Sequence, residues 1–208
     1  MSALLKIEKH KVIAIIRGYH AEEAVRIAEA LQIGGIRLVE ITLNSPEAIK
    51  AIEAVSERFG HHMLIGAGTV LDSESARAAL FAGAKFILSP TVKVETIKLT
   101  KRYGALSIPG AFTPTEILTA FESGGDIVKV FPGTMGPGYI KDIHGPLPQI
   151  PLLPTGGVGL DNIGEFLEAG AIGAGIGSSL VQTNADINET FLKELVGKAK
   201  QFTAAIQQ

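Results

Sequence analysis

The sequence of 208 residues contains no cysteine, which excludes disulfide bonds and thiolate chemistry and is compatible with a reducing cytosol. Its net charge is −2, so there is no basic excess that would indicate nucleic-acid binding. No apolar run is long enough to span a membrane, and the segment MSALLKIEKH lacks the apolar core and cleavage site of a signal peptide. We therefore expect a cytoplasmic protein that binds neither nucleic acid nor membrane.

Metal and dinucleotide motifs are also missing. The five histidines form no H-x-H or H-x-x-x-H pair, and adjacent His61 and His62 would point to opposite faces of a strand. The stretches GAGTVL and GAGIGS lack the G-x-G-x-x-G spacing and the acidic residue that follows it in dinucleotide sites. We expect no metal and no other cofactor.

The chain contains eight apolar runs of strand length, separated by segments of helical periodicity and spaced about 20 residues apart. Several helical segments begin at a capping residue, such as Thr113 before Pro114, and end at glycine. The predicted strands are Val12–Ile16, Ile36–Ile41, Met63–Ile65, Phe86–Leu88, Ala105–Ser107, Ile127–Phe131, Pro151–Leu153 and Ala171–Ile176.

Eight β/α units favour a single (β/α)8 TIM barrel that occupies residues 1–208, with a doubly wound open sheet as the alternative. The last helix is expected around Asn188–Ala204. Residues Ser2–Lys9 are expected to add a short helix across the bottom of the barrel.

Functional residues of such barrels lie at the carboxyl ends of the strands. Seven of the predicted strands carry polar or turn residues there: Arg17, then Glu40, Thr42 and Asn44, then Thr69, then Ser89 and Pro90, then Lys129, then Thr155, Gly156 and Gly157, and finally Gly177 and Ser178. Their convergence on one mouth predicts the site more strongly than any single residue does.

Lys129 interrupts the apolar run Ile127–Phe131, and two interpretations are open. The side chain extends to solvent or pairs with a carboxylate, or it is a desolvated neutral amine that forms a Schiff base with a carbonyl substrate. Its apolar flanks and the following Pro132 turn favour the second. Glu40 is likewise either a structural partner of Arg17 or Lys129, or a general acid and base, which we favour.

Two further groups of residues suggest how anions are bound. Arg17 suits a carboxylate and Thr69 adds a hydroxyl, although a surface ion pair and a turn bond explain them equally well. The stretches PTGGVG and GIGSS would hold a phosphate through their backbone N–H groups, and tight turns alone are the alternative.

The stretches VEITLNSP, IGAGTVL, AGAKFILSP, IPGAFTPTEI, DIVKVFP and PTGGV together resemble the 2-keto-3-deoxy-6-phosphogluconate (KDPG) aldolase family, including its 4-hydroxy-2-oxoglutarate (KHG) and phosphogalactonate relatives. The resemblance runs from about Val12 to about Leu180 and implies a metal-free class I aldolase on a (β/α)8 barrel, usually trimeric. It implies that Lys129 forms the Schiff base, that Glu40 moves protons and that Thr69 contacts the pyruvate carboxylate. It also implies a phosphate at Gly156, Gly157, Gly177 and Ser178, and a pocket lined by Asn44, Pro90, Phe131 and Thr155.

The implied reaction is cleavage of a 2-keto-3-deoxy-6-phospho sugar acid to pyruvate and glyceraldehyde 3-phosphate, with hydroxyoxoglutarate as a further substrate. Asn44 and Arg17 resemble the phosphogalactonate branch, whereas Thr42 and PTGGV resemble the gluconate branch, so both C4 epimers stay open. The alternatives are a non-covalent phosphosugar barrel enzyme, such as a decarboxylase, epimerase or synthase, and a catalytically silent sugar-phosphate-binding protein.

Overall fold

In the computed structural model, which describes residues 2–206, parallel strands follow one another around a closed ring. Strand β1 (Val12–Ile16) pairs on one side with β2 (Leu38–Thr42) and on the other with β9 (Ala174–Ile176). A bridge between Thr155 and Gly175 joins β8 to β9 and closes the ring. The intervening strands are β3 (Leu64–Gly68), β4 (Phe86–Leu88), β5 (Leu106–Ile108), β6 (Gly110–Ala111), β7 (Val128–Val130) and β8 (Leu152–Pro154). The predicted (β/α)8 barrel is confirmed, and the open-sheet alternative is wrong.

Strands β5 and β6 are one barrel strand that is interrupted at Pro109. Proline has no N–H group to donate to a neighbouring strand, so the ladder breaks at this residue. Its carbonyl still accepts the N–H of Lys129 at 2.9 Å, which carries the pairing on to β7. The prediction Ala105–Ser107 was therefore too short. Strand β3 likewise extends to Gly68, because pairing with β2 overrides the weak strand propensity of glycine.

Nine α-helices cover the ring within the described residues: α1 (Ala3–His10), α2 (Ala21–Ile33), α3 (Ala48–Phe59), α4 (Ser73–Phe81), α5 (Val94–Arg102), α6 (Pro114–Glu122), α7 (Pro137–His144), α8 (Ile163–Glu168) and α9 (Glu189–Ala205). Side-chain caps fix several starts, as at Asp72, whose carboxylate accepts the N–H of Ser75 at 2.6 Å. In α6, Thr113 and Glu116 form a capping box in front of Pro114. None of these helices combines the length and the apolarity that a membrane crossing requires.

Two apolar layers hold the barrel together. Side chains alternate along each strand, so Ile13 of β1 points into the ring while Val12 and Ala14 pack against the helices. The inner layer contains Ile13, Leu38, Leu64, Phe86, Leu88, Ile108, Ile127 and Leu153, all buried. Ile7 of α1 is fully buried against this layer, which confirms the predicted N-terminal helix at the bottom of the barrel.

Strand β3 contributes space rather than bulk to the inner layer. A Cβ atom added at Gly66 would lie 2.3 to 2.4 Å from three ring atoms of Phe86, which is itself fully buried. Such a distance is far inside van der Waals contact, so the ring occupies the volume that a side chain at residue 66 would need. The absence of a side chain at this position lets β4 place an aromatic ring across the barrel.

We expect Gly66→Ala to lower the free energy of unfolding by about 1–3 kcal/mol, because the added Cβ would overlap the fully buried Phe86 ring and force it to shift. The matched control is Gly197→Ala, on the exposed face of α9, where an added Cβ meets no atom within 4 Å. That variant should be more stable by about 0.5–1 kcal/mol through helix propensity. Urea unfolding of both variants tests this, and an unchanged midpoint for Gly66→Ala would contradict the packing.

Candidate active site

Lys129 lies on β7 with its side chain inside the barrel. Its neighbours Val128 and Val130 pack outward against the helices, so strand alternation turns Lys129 inward. The residue is 5% exposed, and its Nζ atom lies 4.8 Å from the centre of the Phe131 ring. Within residues 2–206 it forms no ion pair at 4.0 Å or less. The structural salt bridge that was one of its two interpretations is therefore absent from this part of the chain.

Glu40 lies in the same layer of the interior, on β2. It is 1% exposed, and its Oε2 atom is buried without a hydrogen-bond partner among the described residues. Gly68 of the neighbouring β3 makes room for it, since a Cβ atom at that position would lie 2.3 Å from Oε1. Like Lys129, Glu40 forms no ion pair within 4.0 Å in the described part of the chain.

Burial shifts the pKa values of this acid and this base toward each other. Burial raises the pKa of the Glu40 carboxyl above its ordinary value, while the positive charges of Lys129 and Arg17 oppose the shift. Burial lowers the pKa of the Lys129 amine; the charge of Glu40 opposes this shift and that of Arg17 adds to it. Both groups are thus displaced toward their uncharged forms, as a nucleophilic amine and a proton carrier require.

Arg17 and Thr69 come together at the mouth, although they are far apart in the sequence. A guanidinium Nη2 atom of Arg17 donates to Oγ1 of Thr69 at 3.3 Å. Gly18, the residue after Arg17, is anchored to the loop that follows β2, because its N–H donates to Oγ of Ser45 at 2.9 Å. Ser45 in turn shares a 2.9 Å hydrogen bond with the buried hydroxyl of Thr42. The side chains of Arg17 and Thr69, which both reach the mouth, are therefore held in place by residues at the ends of β2 and β3.

A cavity of about 520 Å³ opens above Lys129 at the carboxyl ends of the strands. Among the residues proposed from the sequence, its walls include Arg17, Thr69, Pro90, Lys129, Phe131, Thr155, Gly156, Gly157, Gly177 and Ser178. Glu40 lies buried beneath it, close enough to influence the pKa of Lys129. Asn44 is an exception, because it is exposed and does not line this cavity. Its position in the loop after β2 leaves it outside the mouth.

The two glycine-rich turns form one wall of this cavity. Gly156 and Gly157 have φ angles of 83° and 77°, a left-handed conformation that glycine adopts without strain. Asn162 braces the turn, since its side chain donates to the carbonyl of Gly157 and accepts the N–H of Gly159, both at 2.9 Å. Within residues 2–206, the backbone N–H groups of Gly156, Gly157, Ser178 and Ser179 donate to no protein acceptor. Such N–H groups beside a cavity suit an anion.

Thr155 supplies a hydroxyl between Lys129 and these turns. The residue is 4% exposed, and its Oγ1 atom has no hydrogen-bond partner among the described residues. The hydroxyl fits because the facing residue is Gly175, where a Cβ atom would lie 2.4 Å from Oγ1. A buried hydroxyl without a partner is costly, which makes a ligand hydroxyl its natural partner.

Two polar residues of the cavity wall, Asp161 and Thr183, were not predicted from the sequence, and Ser179 was included only as the last residue of GIGSS. Asp161 and Thr183 lie two and four residues beyond the glycine-rich stretches, so the continuation of each turn was the available signal. A larger cavity, of about 890 Å³, lies at the opposite end of the barrel among the loops before β3, β4 and β5, and none of the proposed site residues lines it.

The comparison with known proteins agrees with this geometry. Residues 4–194 match the family model described as KDPG and KHG aldolase. A 2-dehydro-3-deoxy-6-phosphogalactonate aldolase of Escherichia coli K12 is 36% identical over 201 residues, which are 96% of this chain and 98% of that protein.

Two solved structures extend the comparison. A KDPG aldolase from Legionella pneumophila, described with pyruvate captured as a covalent carbinolamine intermediate, is 31% identical, with a TM-score of 0.82 and coverage of 99% of this chain and 96% of that one. A cube-shaped cage designed by fusing symmetric oligomeric domains is 36% identical, with a TM-score of 0.90 and coverage of 96% of this chain and 73% of that one.

The lowered pKa of Lys129 predicts a pH dependence of stability. Between that lowered value and the ordinary value of 10.5, the unfolded chain binds more protons than the folded chain, so stability rises with pH. The difference in free energy of unfolding between the parent protein and Lys129→Met should therefore increase with pH in this window, by at most about 1.4 kcal/mol per pH unit. A further rise in the pKa of Glu40 in the variant would act in the same direction.

Urea unfolding at several pH values between about 7 and 10 measures this difference. The control is Lys98→Met, which changes an exposed lysine of α5 in the same way and should give no comparable slope. If the difference in free energy of unfolding from the parent protein changed with pH equally in the two variants, the pKa of the Lys129 amine would not be lowered.

Proposed function

Because the chain belongs to the KDPG and KHG aldolase family and is a class I aldolase, a carbon–carbon lyase, we propose that Lys129 is its Schiff-base residue. The observation that carries this assignment is a buried amine whose pKa is lowered and which has no carboxylate within 4.0 Å in the described structure. A lowered pKa increases the share of the amine that is unprotonated and therefore nucleophilic. A carbonyl substrate would reach it through the cavity above β7.

The proposed reaction begins when neutral Lys129 adds to the C2 ketone of a 2-keto-3-deoxy-6-phospho sugar acid. Loss of water gives a protonated imine, which accepts electrons. Glu40, directly or through water, takes the proton of the C4 hydroxyl, and the C3–C4 bond breaks into glyceraldehyde 3-phosphate and an enamine. Glu40 then gives this proton to C3 of the enamine, and addition of water to the resulting imine releases pyruvate and returns the free amine.

The ends of the substrate are proposed to bind at two different parts of the cavity. Arg17 and Thr69, already joined by a hydrogen bond, would bind the carboxylate. The backbone N–H groups of Gly156, Gly157 and Ser178, with Gly177 beside them, would bind the phosphate. Thr155 would bind a substrate hydroxyl, while Pro90 and Phe131 would shape the walls. Fixing both ends places the scissile bond beside Glu40 and Lys129.

The substrate is proposed to be the phosphogluconate or the phosphogalactonate epimer, with 4-hydroxy-2-oxoglutarate as a shorter substrate that would yield pyruvate and glyoxylate. The relatives support both epimers, since one is named for the galactonate compound and another for the gluconate compound. A non-covalent phosphosugar enzyme and a silent binding protein would not need a buried lysine that forms an imine, and no observation among residues 2–206 favours either of them.

We also propose a homotrimer that works in the cytoplasm. The likeness to a chain built from fused symmetric oligomeric domains supports self-association. Exposed Phe81 and Tyr103, whose rings pack edge to face at 5.8 Å, offer an apolar patch for it. A cytoplasmic location fits the proposed substrate, because a phosphorylated acid carries several charges and does not cross membranes unaided.

Incubation with pyruvate followed by borohydride should leave a stable adduct on Lys129, detectable by peptide mass. Lys129→Ala should form no adduct and have no measurable turnover with either epimer, while Lys98→Ala should behave like the parent protein. Full activity of Lys129→Ala, or an adduct on another lysine, would refute the proposed nucleophile. The relative kcat/KM of the parent protein on the two epimers identifies the preferred substrate.

Glu40→Gln should lower kcat by about 10²–10⁴, because a buried amide cannot carry the proton. The variant should still be trapped on Lys129 by pyruvate and borohydride, since imine formation needs the amine first. Glu122→Gln, which changes an exposed residue of α6, is the control. Retention of most of the kcat in Glu40→Gln would remove Glu40 from the proposed mechanism.

A further inference from the structure

Two loops at the rim of the cavity are connected by one buried tyrosine. The loop between β1 and α2 carries Arg17, and the loop between β9 and α9 carries Ser178 and Thr183 of the cavity wall. Tyr19 belongs to the first loop and is 2% exposed. Its hydroxyl donates to the carbonyl of Gln182 and accepts the N–H of Ala185 at 3.1 Å, so both hydrogen bonds reach the second loop.

The packing around these hydrogen bonds is close. Gly18 has a φ angle of 83°, and a Cβ atom there would lie 2.2 Å from Oδ1 of Asn184 and 3.2 Å from Cγ2 of Thr183. Asn184 itself has a φ angle of 54°, in the left-handed region that non-glycine residues seldom occupy. The second loop therefore follows the surface of the first closely, and it turns at Asn184, a residue type that tolerates the left-handed conformation.

Part of the proposed phosphate site belongs to this second loop, namely the backbone N–H group of Ser178 with Gly177 beside it, whereas Gly156 and Gly157 belong to the loop after β8. The two cations among the described lining residues of the cavity, Lys129 and Arg17, are assigned to the ketone and the carboxylate. The proposed phosphate ligands are backbone N–H groups, whose directions are fixed by the conformation of the chain. A displaced β9–α9 loop would misdirect the N–H group of Ser178, whereas a charged side chain could follow its ligand.

We infer that Tyr19 is a positioning residue, whose hydroxyl holds the β9–α9 loop in the shape that binds the phosphate of the substrate. The inference rests on the proposed phosphate site. It makes a specific claim, because Tyr19 does not line the cavity and both hydrogen bonds of its hydroxyl reach the β9–α9 loop, so removing the hydroxyl should matter only for phosphorylated ligands. Arg26 secures the far end of the loop through the carbonyl of Ile187 at 2.9 Å, so the loop should loosen near the cavity and stay attached beyond it.

The test is Tyr19→Phe, which keeps the buried ring and removes only the hydroxyl that makes both hydrogen bonds. The KM for the preferred phosphorylated substrate should rise about fivefold, which corresponds to about 1 kcal/mol, with kcat within about twofold. The KM for pyruvate, measured by exchange of its methyl protons in deuterated water, should not change, because pyruvate has no phosphate. The Kd of inorganic phosphate, measured without turnover, should rise by a similar factor.

Tyr139→Phe is the matched control, since the Tyr139 hydroxyl also donates to a loop carbonyl, that of Phe112, and neither residue lines the cavity. Its kinetic constants should equal those of the parent protein. An unchanged KM for the phosphorylated substrate in Tyr19→Phe, an equal rise for pyruvate, or an equal rise in Tyr139→Phe would overturn the inference. If the parent protein binds no phosphate and does not distinguish phosphorylated from unphosphorylated substrates, the proposed phosphate site itself is wrong. The inference about Tyr19, which rests on that site, is then wrong as well.

Discussion

An ammonium group in an apolar interior loses its hydration, and β7 holds Lys129 in such an environment inside the ring. The flanking Val128 and Val130 face the helices, so the strand cannot turn the lysine outward without exposing them or leaving their places empty. The amine is therefore kept inside although its charged form is disfavoured there, and its pKa falls. The other polar groups of the site surround this buried amine.

Polar side chains fit in a layer above the apolar core because the strand next to each of them has a glycine at the facing position. Gly68 leaves the space that the Glu40 carboxylate fills, and Gly175 leaves the space for the Thr155 hydroxyl. Interiors are packed at crystal-like density, so a side chain at either glycine would displace the polar group rather than share the volume. The glycines of β3 and β9 are thus as much a part of the site as the groups that carry its chemistry.

Opposite pKa shifts on Glu40 and Lys129 have one cause, and each is moderated by the charge of the other. The pKa values of the two groups are therefore closer together than those of the same groups in water. The charge of Arg17 at the mouth lowers the pKa values of both groups. Arg17 is solvent-exposed and hydrogen-bonded to Thr69, so its guanidinium is placed to bind an anion. Loops from three strands hold these donors, which explains why backbone contacts such as that of Gly18 matter at a distance from the chemistry.

The sequence by itself determined the order of the strands and the place of Lys129 within one of them, and it favoured a buried amine there, because strand alternation and turn chemistry act over a few residues. It did not determine the break at Pro109, helix α7, the exposed position of Asn44, or the contact of Tyr19 with the β9–α9 loop. These depend on which distant segments become neighbours when the ring closes. Burial, pKa shifts and the fit of side chains into glycine-lined space arise only from those neighbours, so they were decided by the tertiary structure.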